Sequence, residues 1–133
     1  MPAWVIPQLI ARSSRPGYSG GRNRSVPATE VDAWLVEARA SGIKSIICLL
    51  SDDQLPLYSQ LPTDLITYYR NAGFEIVHVP AQDHRQPPLS QEQVERVWEA
   101  YQELPKPVLV HCSAGLDRTG QAVEYIKRRI SQP

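Results

Sequence analysis

Apolar positions along this chain switch between a short continuous period and a helical one, and the switches mark its elements. Trp4 to Ala11 is an apolar run with strand character, and Pro7 within it points to the edge of a sheet. Val31, Trp34, Leu35 and Ala38 then recur at helical spacing, with Thr29 and Asp32 as a capping-box-like start and Gly42 as the stop. Ile43 to Leu50 is almost continuously apolar, as a parallel strand covered on both faces should be. Ser51-Asp52-Asp53 opens a short turn or helix that ends near Pro62, and Thr63 to Ala72 predicts a helix with Leu65, Ile66 and Tyr69 inward. Phe74 to Val79 reads as the third strand, and Pro80 to Leu89 as a polar, proline-bearing loop. Ser90 and Gln93 have capping-box spacing ahead of a helix whose apolar face is Val94, Val97, Trp98 and Tyr101. Pro105 and Pro107 bracket the turn into a last short strand, Val108-Leu109-Val110, and Val123, Ile126 and Ile130 trace a final helix.

Strands alternating with helices predict an α/β fold: one domain over residues 1–133, with a central, mostly parallel sheet of four to five strands flanked by helices. Ligands on such sheets bind beyond the carboxyl ends of the strands. Arg12 to Ser25 is rich in Gly, Ser and Arg and reads as a loop. Its Arg12, Arg15, Arg22 and Arg24 form the densest basic patch, either bordering a site for anions or simply solvated.

Composition narrows the class further. At 133 residues, 42% hydrophobic and 21% charged, the chain resembles an ordinary globular domain. Net charge is zero, so no overall field draws it to nucleic acid or to a membrane surface. No run reaches the ~20 apolar residues that a spanning helix needs, and the N-terminus has no signal-peptide pattern. Cys48 lies in an apolar run and Cys112 in a loop with its own chemistry, so both are read as reduced and the expected location is cytoplasmic. The sequence carries no signal for an oligomeric state, a cofactor or a metal.

That chemistry lies in His111-Cys112-Ser113-Ala114-Gly115-Leu116-Asp117-Arg118-Thr119-Gly120, where a strand ends and a helix begins. Loop amides backed by a helix N-terminus attract an anion, and Ser113 to Arg118 would wrap it. Arg118 would add a planar fork for phosphate-like oxygens. Cys112 in that setting is expected as a thiolate nucleophile, giving a cysteinyl-phosphate that water hydrolyses. Thr119 could donate its hydroxyl to the sulfur in the second step. His111 is expected to orient the loop through hydrogen bonds rather than to act as a base.

H-C-S-A-G-L-D-R-T resembles the phosphate-binding loop of the cysteine-dependent protein tyrosine phosphatases, and the small dual-specificity branch fits best. The resemblance implies a metal-free phosphatase acting on phosphoprotein or phosphopeptide substrates. It also implies a general acid in the loop after the third strand, where Asp83 stands. Asp117 is the rival for that role, since an acidic residue before the loop arginine resembles lipid-directed and broad-specificity members, although those often carry Lys where this chain has Leu116. Asp52 and Asp53 are read as helix-start residues. His84 and Arg85 beside Asp83 are read as exposed neighbours of the acid or as substrate contacts, and His78 as a packed strand residue. Alternatives from other classes are a phosphatase of inositides, nucleotides or RNA 5′-phosphates, a phosphoprotein-binding module without activity, and an arsenate reductase.

Overall fold

A computed structural model describes residues 2–19 and 23–132. Its elements are β1 (Ala3–Ile6), β2 (Ile10–Ser13), α1 (Ala28–Ala40), β3 (Ser45–Cys48), a 3₁₀ helix (Asp52–Tyr58), α2 (Leu65–Asn71), β4 (Glu75–His78), α3 (Gln91–Glu103), β5 (Val108–His111) and α4 (Asp117–Ser131). The sheet order is β1-β2-β5-β3-β4. Strands β2, β5, β3 and β4 run parallel, and β1 pairs antiparallel with β2 at the edge.

Register matters most for function. Ser13 pairs with His111, His111 with Cys48, and Cys48 with His78, so the parallel strands all end on one row. The segments leaving that row therefore share the carboxyl edge of the sheet, where such folds place their ligands.

Both faces of the sheet are covered. Ile47, Leu49, Val110 and Cys112 pack with Val94, Val97 and Tyr101 of α3 and Ala122, Val123 and Ile126 of α4. On the other face Ile46, Cys48, Leu50 and Leu109 meet Val31, Leu35 and Ala38 of α1 and Leu65 and Tyr69 of α2. Each such side chain contributes about 1.5–3 kcal/mol when fully buried. Burial on both faces explains why the central strands read as unbroken apolar runs.

Three local expectations need correction. Trp4 to Ala11 is not one strand: Pro7 sits in the turn of a hairpin, Gln8 takes φ 69°, and Leu9 N–H donates to Ile6 O at 3.0 Å. A residue without an N–H cannot continue the ladder, so the chain turns there. Helix α1 starts at Ala28 behind Pro27, whose φ of −64° suits a helix entry, and no Thr29–Asp32 box forms. Helix α2 is capped by Asp64, which accepts from Thr67 N at 2.9 Å. The Ser90–Gln93 box does form, and Ser51 with Gln54 makes a second one at the 3₁₀ helix.

Candidate active site

Cys112 follows β5, the strand flanked by β2 and β3, and is 2% exposed. The loop after it is shaped by what holds its carbonyl groups on the outside. His111 Nδ1 bonds Cys112 O at 2.9 Å, and Arg15 N–H donates to Ser113 O at 2.8 Å. Arg12 Nη2 donates to Gly115 O at 2.8 Å and to Leu116 O at 3.3 Å, and Gly120 N–H donates to Leu116 O at 2.7 Å. In a trans peptide the following N–H points opposite to the carbonyl. Pinning these carbonyls outward turns the amides of Ser113, Ala114, Leu116 and Asp117 toward the centre. Gly115 has φ +78°, and a Cβ there would stand 2.5 Å from Ser13 O, so only glycine lets the loop lie against the end of β2.

His111 is fully buried. Burial pushes its imidazole down to about 4, opposed by the bond to Cys112 O and reinforced by the charges of Arg118 and Arg15. Since Cys112 O can only accept, Nδ1 carries the proton, and Tyr69 Oη donates to Nε2 at 2.9 Å. Trp34 stacks on Tyr69 and meets the imidazole edge-on, closing an aromatic support beneath the loop. His111 is thus a neutral imidazole bonded to Cys112 O on one side and Tyr69 Oη on the other.

Arg118, 1% exposed, enters from the first turn of α4. Its Nη1 is occupied by Ala81 O at 2.7 Å, Gln54 Oε1 at 2.9 Å and Leu49 O at 3.3 Å. These bonds fix the guanidinium plane and leave Nε and Nη2 buried without a hydrogen-bond partner. Asp83 Oδ2 is 3.2 Å from Nη2, close enough for an ion pair but outside hydrogen-bond geometry. Two adjacent unsatisfied N–H groups in a fork match a tetrahedral oxyanion. Thr119 Oγ1 is likewise buried without a partner.

One cleft of about 420 Å³ is lined by Cys112, Ser113, Ala114, Leu116, Asp117 and Arg118, together with Asp83, Asp53 and Gln54. Asp83 is held by its neighbour: His84 N–H donates to Oδ1 at 3.0 Å, and His84 itself has φ 60°. Asp117 is exposed at the rim, and Leu116 is 66% exposed beside it. Gly115, Thr119 and His111 are not among the residues that line the cleft. His78 Nε2 bonds Leu50 O at 2.7 Å, away from the cleft. Among the described residues no group of His, Cys, Asp and Glu side chains could hold a metal ion, and no helix is long and apolar enough to cross a membrane.

Gln54, Tyr18 and Asn23 also line the cleft, and no motif in the sequence marks them. Of the arginine patch, Arg12 and Arg15 bond to the Ser113–Leu116 segment, Arg24 pairs with Glu30 at 2.6 Å, and Arg22 lies outside the described residues. Cys48 is buried on the opposite face from Cys112, and burial pushes its thiol up to about 12.

A family model described as a DSP-PTPase phosphatase fused to NAD+ kinase matches residues 20–133. No curated protein matches the chain by sequence. Among solved structures, Tk-PTP in its active form has 22% identity and a TM-score of 0.63, over 99% of this chain and 76% of its own. The core catalytic domain of the S. cerevisiae PP-IP phosphatase SIW14 has 19% identity and a TM-score of 0.61, over 100% of this chain and 70% of its own. Kinase-associated phosphatase has 17% identity and a TM-score of 0.67, over 92% of this chain and 66% of its own. At these identities the likeness is one of fold.

Proposed function

The chain belongs to the family of DSP-type protein tyrosine phosphatases described as fused to NAD+ kinase, and from that membership we propose that it hydrolyses phosphomonoesters on protein tyrosine, with serine and threonine as lesser substrates. The observation that carries this reading is that Arg118, which lines the same cleft as Cys112, has two buried nitrogens, Nε and Nη2, that make no hydrogen bond, Nη2 being only ion-paired with Asp83. Such donors are costly to bury unsatisfied, and a phosphoryl group satisfies both at once.

Binding places the phosphorus above Cys112, with its oxygens on the inward amides and the Arg118 fork. The Cys112 thiolate attacks phosphorus while the bond to the leaving oxygen breaks, and Asp83 gives that oxygen its proton. Water then attacks the cysteinyl-phosphate, Asp83 takes a proton from it, and the P–S bond breaks to free phosphate and thiolate. Thr119, with an unspent hydroxyl, would donate to the departing sulfur. Charge on the equatorial oxygens is stabilised by amides and guanidinium already in place.

The cleft wall favours a singly phosphorylated, otherwise uncharged group: Asp53, Asp83 and Asp117 line the cleft together with Arg118. Polyanions would meet those carboxylates. A second reading, a nucleotide or inositide substrate, is favoured by the family description, because an NAD+ kinase makes a dinucleotide phosphomonoester, and by the PP-IP phosphatase among the fold relatives. The test is kcat/KM in EDTA on a phosphotyrosine peptide, a phosphoserine peptide, an inositol phosphate and NADP, for the native protein and Cys112→Ser. The phosphotyrosine peptide should rank first and Cys112→Ser should be inactive. A first rank for NADP or the inositol phosphate establishes the second reading, and equal activity in both proteins refutes a cysteinyl-phosphate.

A further inference from the structure

We propose that Arg12 and Arg15 are positioning residues of the phosphate site, setting from behind the direction in which the Cys112–Arg118 loop aims its donors. Both lie before residue 20, outside the stretch that matches the family model. Arg12 lies within β2, opposite Val110, and Arg15 just beyond the strand's end, where Ser13 pairs with His111, so both reach the back of the loop directly.

Arg15 is 1% exposed, a position almost never given to a guanidinium without a specific partner. Its main chain donates to Ser113 O at 2.8 Å and its Nε to Ser113 Oγ at 3.1 Å, so one residue holds both polar ends of Ser113. Its Nη1 donates to Tyr58 Oη at 3.3 Å, and Tyr58 Oη donates onward to Pro16 O at 2.6 Å. Tyr58 ends the 3₁₀ helix whose first turn carries Gln54, the side chain that holds Arg118 Nη1. A single chain of bonds therefore runs from Ser113 through Arg15 and the 3₁₀ helix to Arg118. Arg12 completes the brace by taking the carbonyls of Gly115 and Leu116. Removing the Arg12 side chain frees the carbonyls of Gly115 and Leu116 to rotate inward, where they would repel an oxyanion. Removing the Arg15 guanidinium releases Ser113 Oγ and Tyr58 Oη, while its main-chain bond to Ser113 O remains. Either loss withdraws positive charge from behind the loop.

This inference rests on the phosphatase reading of the loop. It predicts a defect in anion binding and thiolate formation, with leaving-group protonation untouched. The experiment compares the native protein with Arg12→Met, Arg15→Met and Arg15→Lys, following melting by circular dichroism. It measures inhibition by inorganic phosphate and the pH profile of Cys112 alkylation by iodoacetamide, a neutral probe. Both methionine variants should weaken phosphate inhibition at least tenfold and move the alkylation profile to higher pH, while the dependence of rate on leaving-group acidity stays native. Arg15→Lys should recover part of both losses. If Arg15→Met does not fold, Arg15→Lys and Arg12→Met decide on the same measurements. Cooperatively folded variants whose phosphate inhibition and alkylation profile stay within twofold of native overturn the proposal. A native protein that phosphate does not inhibit overturns the phosphatase reading itself.

Discussion

Asp83 Oδ2 stands 3.2 Å from Arg118 Nη2, so the candidate acid already touches the donor edge where a phosphoryl group would lie. Substrate must take over that edge, which leaves the carboxyl free beside the leaving oxygen. Asp83→Asn should therefore lower turnover of alkyl phosphates by about 10²–10⁴-fold and that of activated aryl esters far less, because only poor leaving groups need the proton. Asp117, exposed at the rim, is the comparison: Asp117→Asn should change both classes little. The reverse pattern in steady-state kinetics assigns the acid to Asp117.

The two cysteines face opposite layers of the core, Cys112 with α3 and α4 and Cys48 with α1 and α2. Burial also keeps the Cys48 thiol protonated, with its pKa up to about 12. Hydrogen peroxide should thus inactivate the protein through Cys112 alone, giving a sulfenic acid that dithiothreitol reverses. Peptide mapping after oxidation should find no Cys48–Cys112 disulfide. Finding one in the native fold would show that the sheet opens at its carboxyl edge.

The fold class and the cleft-lining loop are legible because each depends on local pattern. Two-sided burial writes Ile43–Leu50 as an apolar run, and Cys112 to Arg118 are contiguous. Hairpin β1–β2 is hidden because Pro7-Gln8-Leu9 interrupts an apolar run with only one polar residue, and the turn shows itself only in the folded chain, in the positive φ of Gln8 and the bond from Leu9 N–H to Ile6 O. Arg15, Gln54 and Tyr58 are illegible for a different reason. Their partners Ser113 and Arg118 are distant in sequence, and no local period encodes a bond across the sheet edge. A dense arginine patch looks the same whether its members pair with a half-exposed carboxylate, like Arg24 with Glu30, or are buried, like Arg15.

His111 gives the protein an acid limit set by folding. Its buried imidazole titrates near 4, against about 6.5 when unfolded, so the unfolded chain binds the extra proton between those values. The stability this group contributes is complete above about pH 6.5 and is lost as pH falls toward 4, by on the order of 3 kcal/mol. Melting temperature should decline through that window, and His111→Asn should flatten the decline while lowering stability at pH 7. Tyr69→Phe, which removes the donor to Nε2, should cost about 1–3 kcal/mol at neutral pH. An unchanged slope in His111→Asn would assign the acid limit to other groups.

Gly115→Ala separates backbone strain from steric conflict within the loop. Gly42 and Gly115 both have positive φ, +85° and +78°, but a Cβ at Gly42 meets nothing within 4 Å. Gly42→Ala should therefore cost only the conformational term, about 1–2 kcal/mol, and leave kcat/KM native. At Gly115 the added carbon would lie 2.5 Å from Ser13 O and 2.8 Å from Ser14 N, backbone atoms that cannot swing aside. Either the end of β2 or the loop must move, and moving the loop breaks the bond from Arg12 to Gly115 O that keeps the neighbouring amides inward. Gly115→Ala should thus lose more stability than Gly42→Ala and, in addition, weaken inhibition by phosphate at least tenfold. Equal stability losses with native phosphate inhibition in both variants would mean that the loop tolerates displacement from β2, and that its donors are aimed by something other than the packing described.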